Sequence, residues 1–271
     1  MFQAVSENNH KQFFKEVIQA ARLWPIWMRL GLQDIRMRYR RSALGFSWIF
    51  INLAIFILSV GIIYSYLFRQ DLKEFLPFLT VGLVTWNYIT ASIVEGGNAF
   101  VASEGYIKQI GIPIYVYIFR FFVSITITML VSLPAFLVIA LVYSVPFRWG
   151  VMWVLPGLLL LAVVSFLLIV IFSLLNARFR DVGHISSVAL QVLFFITPVI
   201  WPPEMLSKHR LGFVVDFNPC YHLLEIVRHP LLTSASAGTL NYLVVMLLIA
   251  MLLLVALILS VRYCKRVVYL L

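Results

Sequence analysis

Charge is scarce in this chain of 271 residues: Asp, Glu, Lys and Arg make up only 12% of it, whereas soluble domains carry roughly 25%. Hydrophobic residues reach 62%, which excludes both an ordinary soluble domain and a disordered chain. Cysteine is scarce too. Cys220 and Cys264 are the two cysteines of the sequence, and they cannot build a disulfide framework or a CxxC metal site. The composition therefore indicates an integral membrane protein.

Catalytic and nucleotide-binding motifs are missing as well. The sequence contains no G-x-x-x-x-G-K-[ST] loop, no H-E-x-x-H zinc motif and no G-x-S-x-G nucleophile motif. No acidic residue lies inside a predicted span, although carriers driven by protons or sodium normally hold one there. We therefore assign no catalytic residue, metal ligand or cofactor to this chain, and active transport needs energy from another polypeptide.

Six runs free of Asp, Glu, Lys and Arg are read as membrane-spanning helices, each needing roughly 20 apolar residues. They are Ser42–Phe68, Phe75–Val94, Phe121–Phe147 (starting near Tyr115), Trp149–Ala177, Val182–Pro203 and Leu240–Val261. The sequence thus predicts an all-α integral membrane fold, with a cytoplasmic segment over 1–41 and a six-helix domain over 42–271. With the N-terminus inside, 15 Lys and Arg side chains fall in cytoplasmic segments and six in outer ones. This bias places both termini in the cytoplasm.

The polar N-terminal segment contains an amphipathic helix over Lys11–Trp24, which is suited to the membrane interface. It serves as a generic anchor or as a platform for a cytoplasmic partner, and its residues alone favour neither. Directly before the first span come Arg36, Arg38, Arg40 and Arg41. Such a cluster is typical of orientation signals and lipid-headgroup contacts, and binding of a lipid pyrophosphate is the less favoured alternative.

Two connecting segments stand out from the spans. Between the second and third spans, glycines flank a short helical stretch over Asn98–Tyr106, with Asn98 as its expected N-cap, and this stretch could contact a partner. The segment over 204–239 is long and yet apolar, and it follows the Pro202–Pro203 break. It predicts a re-entrant or interfacial helix pair lining a path, in which Glu225 pairs with Arg228 or His229.

Aromatic residues recur along the first and fifth predicted spans. Trp48, Phe56 and Tyr64 form roughly one stripe, and Phe194 and Phe195 lie side by side. Ordinary packing or lipid contact is the favoured interpretation, and an aromatic-lined conduit for sugars is the alternative.

Six short motifs in this order resemble one known family. They are RMRYRRSALGFSWIF (Arg36–Phe50), GYIKQIGIP (Gly105–Pro113), NARFRDV (Asn176–Val182), FFITPVIWP (Phe194–Pro202), FNP (Phe217–Pro219) and EIVR (Glu225–Arg228). Together they resemble the type-2 ABC transporter permeases that export bacterial polysaccharides, above all the permeases of O-antigen exporters. Teichoic-acid and capsule permeases are similar as well.

The resemblance implies a homodimer in the bacterial inner membrane, assembled with two copies of a separate cytoplasmic subunit that binds ATP and Mg²⁺. The cargo implied is a polysaccharide on undecaprenyl diphosphate, and not a nucleic acid. The implied ATPase-coupling residues are Asn98, Ala99, Phe100, Val101, Ser103, Glu104 and Tyr106. Arg36, Arg38, Arg40 and Arg41 are implied to meet the lipid diphosphate, and Trp48, Phe56, Tyr64, Phe194 and Phe195 to line the conduit. Asn218, Pro219, Tyr221, Glu225 and Arg228 are implied to form a periplasmic gate.

Three alternatives to an O-antigen permease stay open from the sequence, and the last of them is a passive membrane scaffold. The first is a permease for capsule or teichoic acid. The second, less favoured because no acidic residues are paired for catalysis, is a membrane enzyme acting on polyprenyl-linked sugars.

Overall fold

The computed structural model describes residues 14–145, 148–207 and 212–271, and these residues form helices and connecting turns with no β-strand among them. The all-α class predicted from composition is therefore confirmed. In chain order the helices are α1 (residues 14–22), α2 (Trp24–Arg38), α3 (Ser47–Phe68), α4 (Leu72–Gly97), α5 (Glu104–Gln109), α6 (Tyr115–Val142), α7 (Val154–Arg178), α8 (Val182–Ile196), α9 (Glu204–Ser207), α10 (Gly212–Asp216), α11 (Pro219–Thr233), α12 (Thr239–Tyr263) and α13 (Val267–Leu270). Short 3₁₀ turns occupy Val101–Ser103, Trp149–Trp153 and Cys264–Arg266.

Five helices of the described chain are long and apolar enough to cross a membrane: α3, α4, α6, α7 with its preceding turn, and α12. The chain is thus a multi-pass membrane protein. The fifth predicted span, Val182–Pro203, is a helix of 15 residues, about 22 Å long, which is shorter than a bilayer core of about 30 Å. It ends because Thr197, which precedes Pro198, adopts an extended conformation. The count of six spans stays a prediction.

Helix α4 is the centre of the bundle. In an apolar stretch of 18 residues within α4, 67% is buried. The corresponding stretches of α3 and α12 are only 17% and 22% buried. It packs against α3, α6, α7, α8 and α11. The least buried spans therefore turn broad apolar faces outward, toward lipid or another chain.

The bundle has two ends, which we name by a helix at each. The α5 end holds α1, α2, α5 and the α7–α8 connection; the α11 end holds the α3–α4 and α6–α7 connections together with α11. At the α5 end, α2 lies so close to α6 that a Cβ on Gly31 would come within 2.8 Å of the Arg120 carbonyl oxygen. A glycine is thus required there by close approach.

The described part of the N-terminal amphipathic prediction, residues 14–22, is helical, and residues 11–13 lie outside the described chain. Phe14 and Ile18 are about half exposed, whereas Ala20 is fully buried. A break at Leu23 separates α1 from α2, and Pro25 stands in the first turn of α2, where its missing N–H is tolerated.

Candidate functional site

A groove of about 760 Å³ lies at membrane depth between α4, α6 and α8. Its wall combines polar side chains with aromatic ones. The polar members include Asn87, Thr90, Thr128, Ser187 and Gln191, and the aromatic members are Trp86, Phe194 and Phe195. Amides and hydroxyls are costly against lipid and are tolerated at this depth when they face protein or a water-filled path. The groove is thus able to offer hydrogen bonds to a polar solute.

Phe194 and Phe195 contribute aromatic surface to this groove. The Phe194 ring centroid lies 5.7 Å from that of Trp86 and 5.5 Å from that of Phe195. Phe195 is 66% exposed, so its ring is available for contact. The structure therefore brings these two predicted conduit residues together with Trp86.

The other predicted conduit residues lie on α3 and do not line this groove. Trp48 and Phe56 are 39% and 46% exposed, and Tyr64 packs against Phe68 with ring centroids 5.2 Å apart. Within one chain, then, the stripe on α3 and the pair on α8 form separate surfaces.

One end of the groove carries an ion pair. Glu95, in the last turn of α4, lines the groove and accepts a 2.6 Å hydrogen bond from Arg38 at the end of α2. The neighbouring predicted diphosphate residues Arg36, Arg40 and Arg41 are exposed. The four arginines thus differ, because the charge of Arg38 is balanced by a carboxylate.

The expected N-cap role of Asn98 is wrong: Asn98 is the C-cap of α4. Its side chain donates to the Val94 carbonyl at 3.0 Å and accepts from Asn176 Nδ2 at 2.6 Å. The glycines that flank this stretch on its N-terminal side belong to α4, which packs tightly on α7. A Cβ on Gly96 would lie 2.5 Å from the Ile169 side chain.

The predicted coupling residues divide into an inward and an outward set. Ala99, Phe100 and Ser103 are fully buried and anchor the segment. Tyr106 is 48% exposed, and Glu104 pairs with Lys108 at 2.6 Å on the surface. The hydrogen bond from Lys108 lowers the pKa of the Glu104 carboxyl. Val101 is partly buried and lies between the two sets. The inward set holds α5 to the bundle. A partner at this end thus meets the outward side chains of α5.

A third ion pair at the α5 end has no signal in the sequence. Arg120 of α6 donates to both carboxylate oxygens of Asp34 in α2, at 2.6 and 2.5 Å. The same guanidinium lies 3.5 Å from the Ser103 hydroxyl and 5.7 Å from the centre of the Tyr106 ring. Arg120 therefore joins α2 and α6 to the segment that carries α5. No local pattern links residues 34 and 120, so only the fold could reveal the pair.

At the α11 end, Asn218 caps α11 and ties it to α8. Its Oδ1 accepts from the Cys220 N–H at 2.9 Å, and its Nδ2 donates to Thr197 Oγ1 at 2.9 Å. Pro219 begins the helix, where a proline is favoured. Tyr221 lies one turn before Glu225 and is partly buried.

Arg228 is the largest fully buried side chain of this end, with 1% of its surface exposed. Its guanidinium lies 3.9 Å from the centre of the Phe78 ring and donates to the Pro198 carbonyl at 2.9 Å. It also donates to Glu225 at 3.4 Å, so the predicted Glu225–Arg228 pair is present. A Cβ on Gly82 would lie 2.5 Å from the guanidinium. Arg228 thus joins α11 to α4 and to the turn after α8.

His222 of α11 has a structural role. His222 is 1% exposed and hydrogen-bonds the Asp216 carbonyl at 2.8 Å and Asn241 Oδ1 at 2.6 Å. No three His, Cys, Asp or Glu side chains cluster in metal-binding geometry within residues 14–145, 148–207 and 212–271.

Comparison with known proteins gives one family. The profile of the family described as "ABC-2 type transporter" matches residues 27–232. The O-antigen export system permease protein RfbA of Myxococcus xanthus is 29% identical over 193 residues, which cover 71% of this chain and 74% of that protein. The RfbA permease of Klebsiella pneumoniae is 25% identical over 78% of this chain and 80% of that protein. The polysialic acid transport protein KpsM of Escherichia coli is 22% identical over 82% of this chain and 88% of that protein.

Proposed function

Because the chain belongs to the ABC-2 type transporter family, we propose that it is the transmembrane subunit of an ATP-driven polysaccharide exporter. The cargo is an undecaprenyl-diphosphate-linked polysaccharide, which moves from the cytoplasm to the periplasm across the bacterial inner membrane. ATP and Mg²⁺ bind a separate subunit, so this chain supplies the path and not the hydrolysis.

The groove between α4, α6 and α8 is the observation that carries this proposal. It places Asn87, Gln191 and hydroxyl groups beside Trp86, Phe194 and Phe195. Amides and hydroxyls match the hydrogen bonds of sugars, and aromatic rings present flat faces to sugar C–H groups. An apolar lipid tail forms no hydrogen bonds with such polar groups.

The working unit is a homodimer with two ATP-binding subunits. The apolar stretch of α3 is only 17% buried, and the exposed side chains of this helix include Phe56, Ile63 and Leu67. A second copy packing on this face brings the α3 stripe toward a shared conduit. Both termini and the α5 end face the cytoplasm, where Tyr106 and Glu104 contact the ATP-binding partner.

Lipid diphosphate enters near Arg36, Arg40 and Arg41. Guanidinium groups match phosphate oxygens, and exposure leaves these three side chains accessible. Glu95 balances the charge of Arg38, so Arg38 can bind a diphosphate with its full charge only if that 2.6 Å contact opens.

O-antigen is the cargo we favour, since the RfbA relatives are named for its export. Capsule export is the alternative, which the KpsM relative supports. Both share the proposed mechanism and differ in the polymer carried.

Reconstitution tests this function. The chain is placed in proteoliposomes with an ATP-binding subunit of an ABC-2 polysaccharide exporter, and export of lipid-linked glycan is followed with a membrane-impermeant lectin. We expect ATP-dependent export that falls at least fivefold with Gln191→Leu, which removes a groove amide. The matched control Ile185→Leu changes a side chain on α8 that is 66% exposed and outside the groove. Equal export by both variants would contradict the role of the groove.

A further inference from the structure

A second cavity, of about 1110 Å³, opens at the α11 end. It is enclosed by the end of α3, the first turns of α4, the end of α6, residues 202–205 and the end of α11. This volume exceeds that of a typical small-molecule pocket, about 300–1,000 Å³, so it has room for several sugar rings.

One wall of this cavity is a run of aromatic rings. Phe68 and Phe75 meet edge to face with centroids 6.2 Å apart, and Phe75 and Phe78 are stacked at 6.4 Å. Phe75 is 2% exposed and supports the other two rings, which are partly exposed. Tyr143, at the end of α6, adds a fourth ring to the lining.

Polar groups of both charges share the lining. Gln70, Lys73 and Glu74 come from the α3–α4 turn and the first turn of α4, and Glu204 comes from α9. The turn is held in place because Asp71 caps α4, accepting a 3.0 Å hydrogen bond from the Lys73 N–H. One ammonium and two carboxylates give no excess of positive charge. The cavity is therefore poorly matched to an anionic lipid headgroup and well matched to uncharged hydroxyl groups, which both donate and accept.

The cavity and the membrane-depth groove lie in series along α4. Five residues of α4 between Lys73 and Phe78 line the cavity, Phe78 and Gly82 contact Arg228, and the groove begins at Trp86. Phe78 and Trp86 are eight residues apart, which is about 12 Å along a helix. The buried Arg228 guanidinium thus lies between the two spaces.

We infer that the cavity at the α11 end is a glycan-binding site, which receives an uncharged stretch of polysaccharide at this end of the bundle. This inference rests on the proposed export function and adds a site to it. Aromatic faces and mixed polar groups give the site a preference for sugar rings over phosphate.

The test uses the full chain in lipid nanodiscs and four uncharged hexasaccharides as probes: maltohexaose, cellohexaose, a mannohexaose and a galactohexaose. Saturation-transfer NMR measures contact between protein and probe. We expect transfer to at least one probe, reduced at least fivefold in the double variant Phe68→Ala/Glu74→Gln. The control Tyr66→Ala removes a ring that is 77% exposed and outside the cavity lining, and it should retain the signal.

Three results would overturn the inference: no transfer to any probe, equal signals from the double variant and the wild type, or preferential binding of glycerol 3-phosphate. Thermal unfolding of each variant checks its fold, and the single variant Glu74→Gln, which changes only an exposed side chain, replaces the double variant if Phe68→Ala unfolds. Export by the reconstituted wild-type complex is measured separately. Normal export without cavity binding removes this site and leaves the proposed function standing, whereas absent export counts against the function itself.

Discussion

The ion pair between Asp34 and Arg120 leads to the most specific prediction about coupling. Arg120 holds both oxygens of Asp34, at 2.6 and 2.5 Å, and also reaches Ser103 in the segment before α5. Replacing Asp34 with Asn keeps one acceptor oxygen and the size of the side chain. It removes the negative charge and one of the two parallel hydrogen bonds.

The cost follows from burial. The side chains of Arg120 and Asp34 are 12% and 21% exposed, so the pair is partly shielded from water. A hydrogen bond to a charged group contributes about 1.5–3 kcal/mol, and breaking a fully buried pair costs about 3–5 kcal/mol. For this partly buried pair we expect the contact between α2 and α6 to lose about 2 kcal/mol of stability. That loss is roughly a 30-fold shift in the equilibrium that docks α2 against α6.

The assay is the amount of glycan exported per ATP hydrolysed by the reconstituted complex. Asp34→Asn should lower this ratio at least fivefold while ATP hydrolysis continues, because the α5 segment and α6 then move without carrying α2 along. The double charge reversal Asp34→Arg/Arg120→Asp should recover part of the ratio. Gln33→Ala, an exposed change in the same helix, is the control. An unchanged ratio in Asp34→Asn, with α2 shown to be released from α6, would refute the reasoning.

Three further predictions concern the two ends of the bundle. Glu104→Lys breaks an exposed pair with Lys108 that contributes little to stability, so thermal stability should hardly change while ATP hydrolysis becomes uncoupled from export. Normal export would count against a coupling role for α5. Replacing Arg40 and Arg41 with Gln should raise the concentration of lipid-linked cargo needed for half-maximal ATPase stimulation at least threefold. If cysteine labelling shows a change in topology alone, the two arginines act only as an orientation signal. Arg228→Leu leaves the Pro198 carbonyl without its donor and should lower stability by about 3 kcal/mol, measured by thermal unfolding in nanodiscs. A variant as stable as the wild type would contradict the packing role of this arginine.

Long apolar runs made the spans the most predictable part of the fold. The runs assigned to α3, α4, α6, α7 and α12 all appear as spanning helices, because about 20 apolar residues have few other stable arrangements. The ends were less predictable. Gly96 and Gly97 continue α4 since they allow close packing on α7, which depends on a neighbour 70 residues away and leaves no local signal.

The candidate site was predictable in part, for a similar reason. The α5 segment and the residues of α11 were found from composition and resemblance, and Glu225 and Arg228 pair as their spacing indicates. The Asp34–Arg120 pair joins residues 86 positions apart, and the aromatic wall of Phe68, Phe75 and Phe78 combines two helices. Contacts of that kind depend on tertiary packing, which single-sequence patterns do not encode.

We propose that this chain is a passage and that transport through it is driven by ATP hydrolysis in another subunit. The test is glycan export by sealed proteoliposomes that hold the chain alone, or the chain with a hydrolysis-deficient ATP-binding subunit. We expect no glycan export in either case, and export only with the active partner and ATP. Accumulation of glycan by vesicles that contain this chain alone would contradict it.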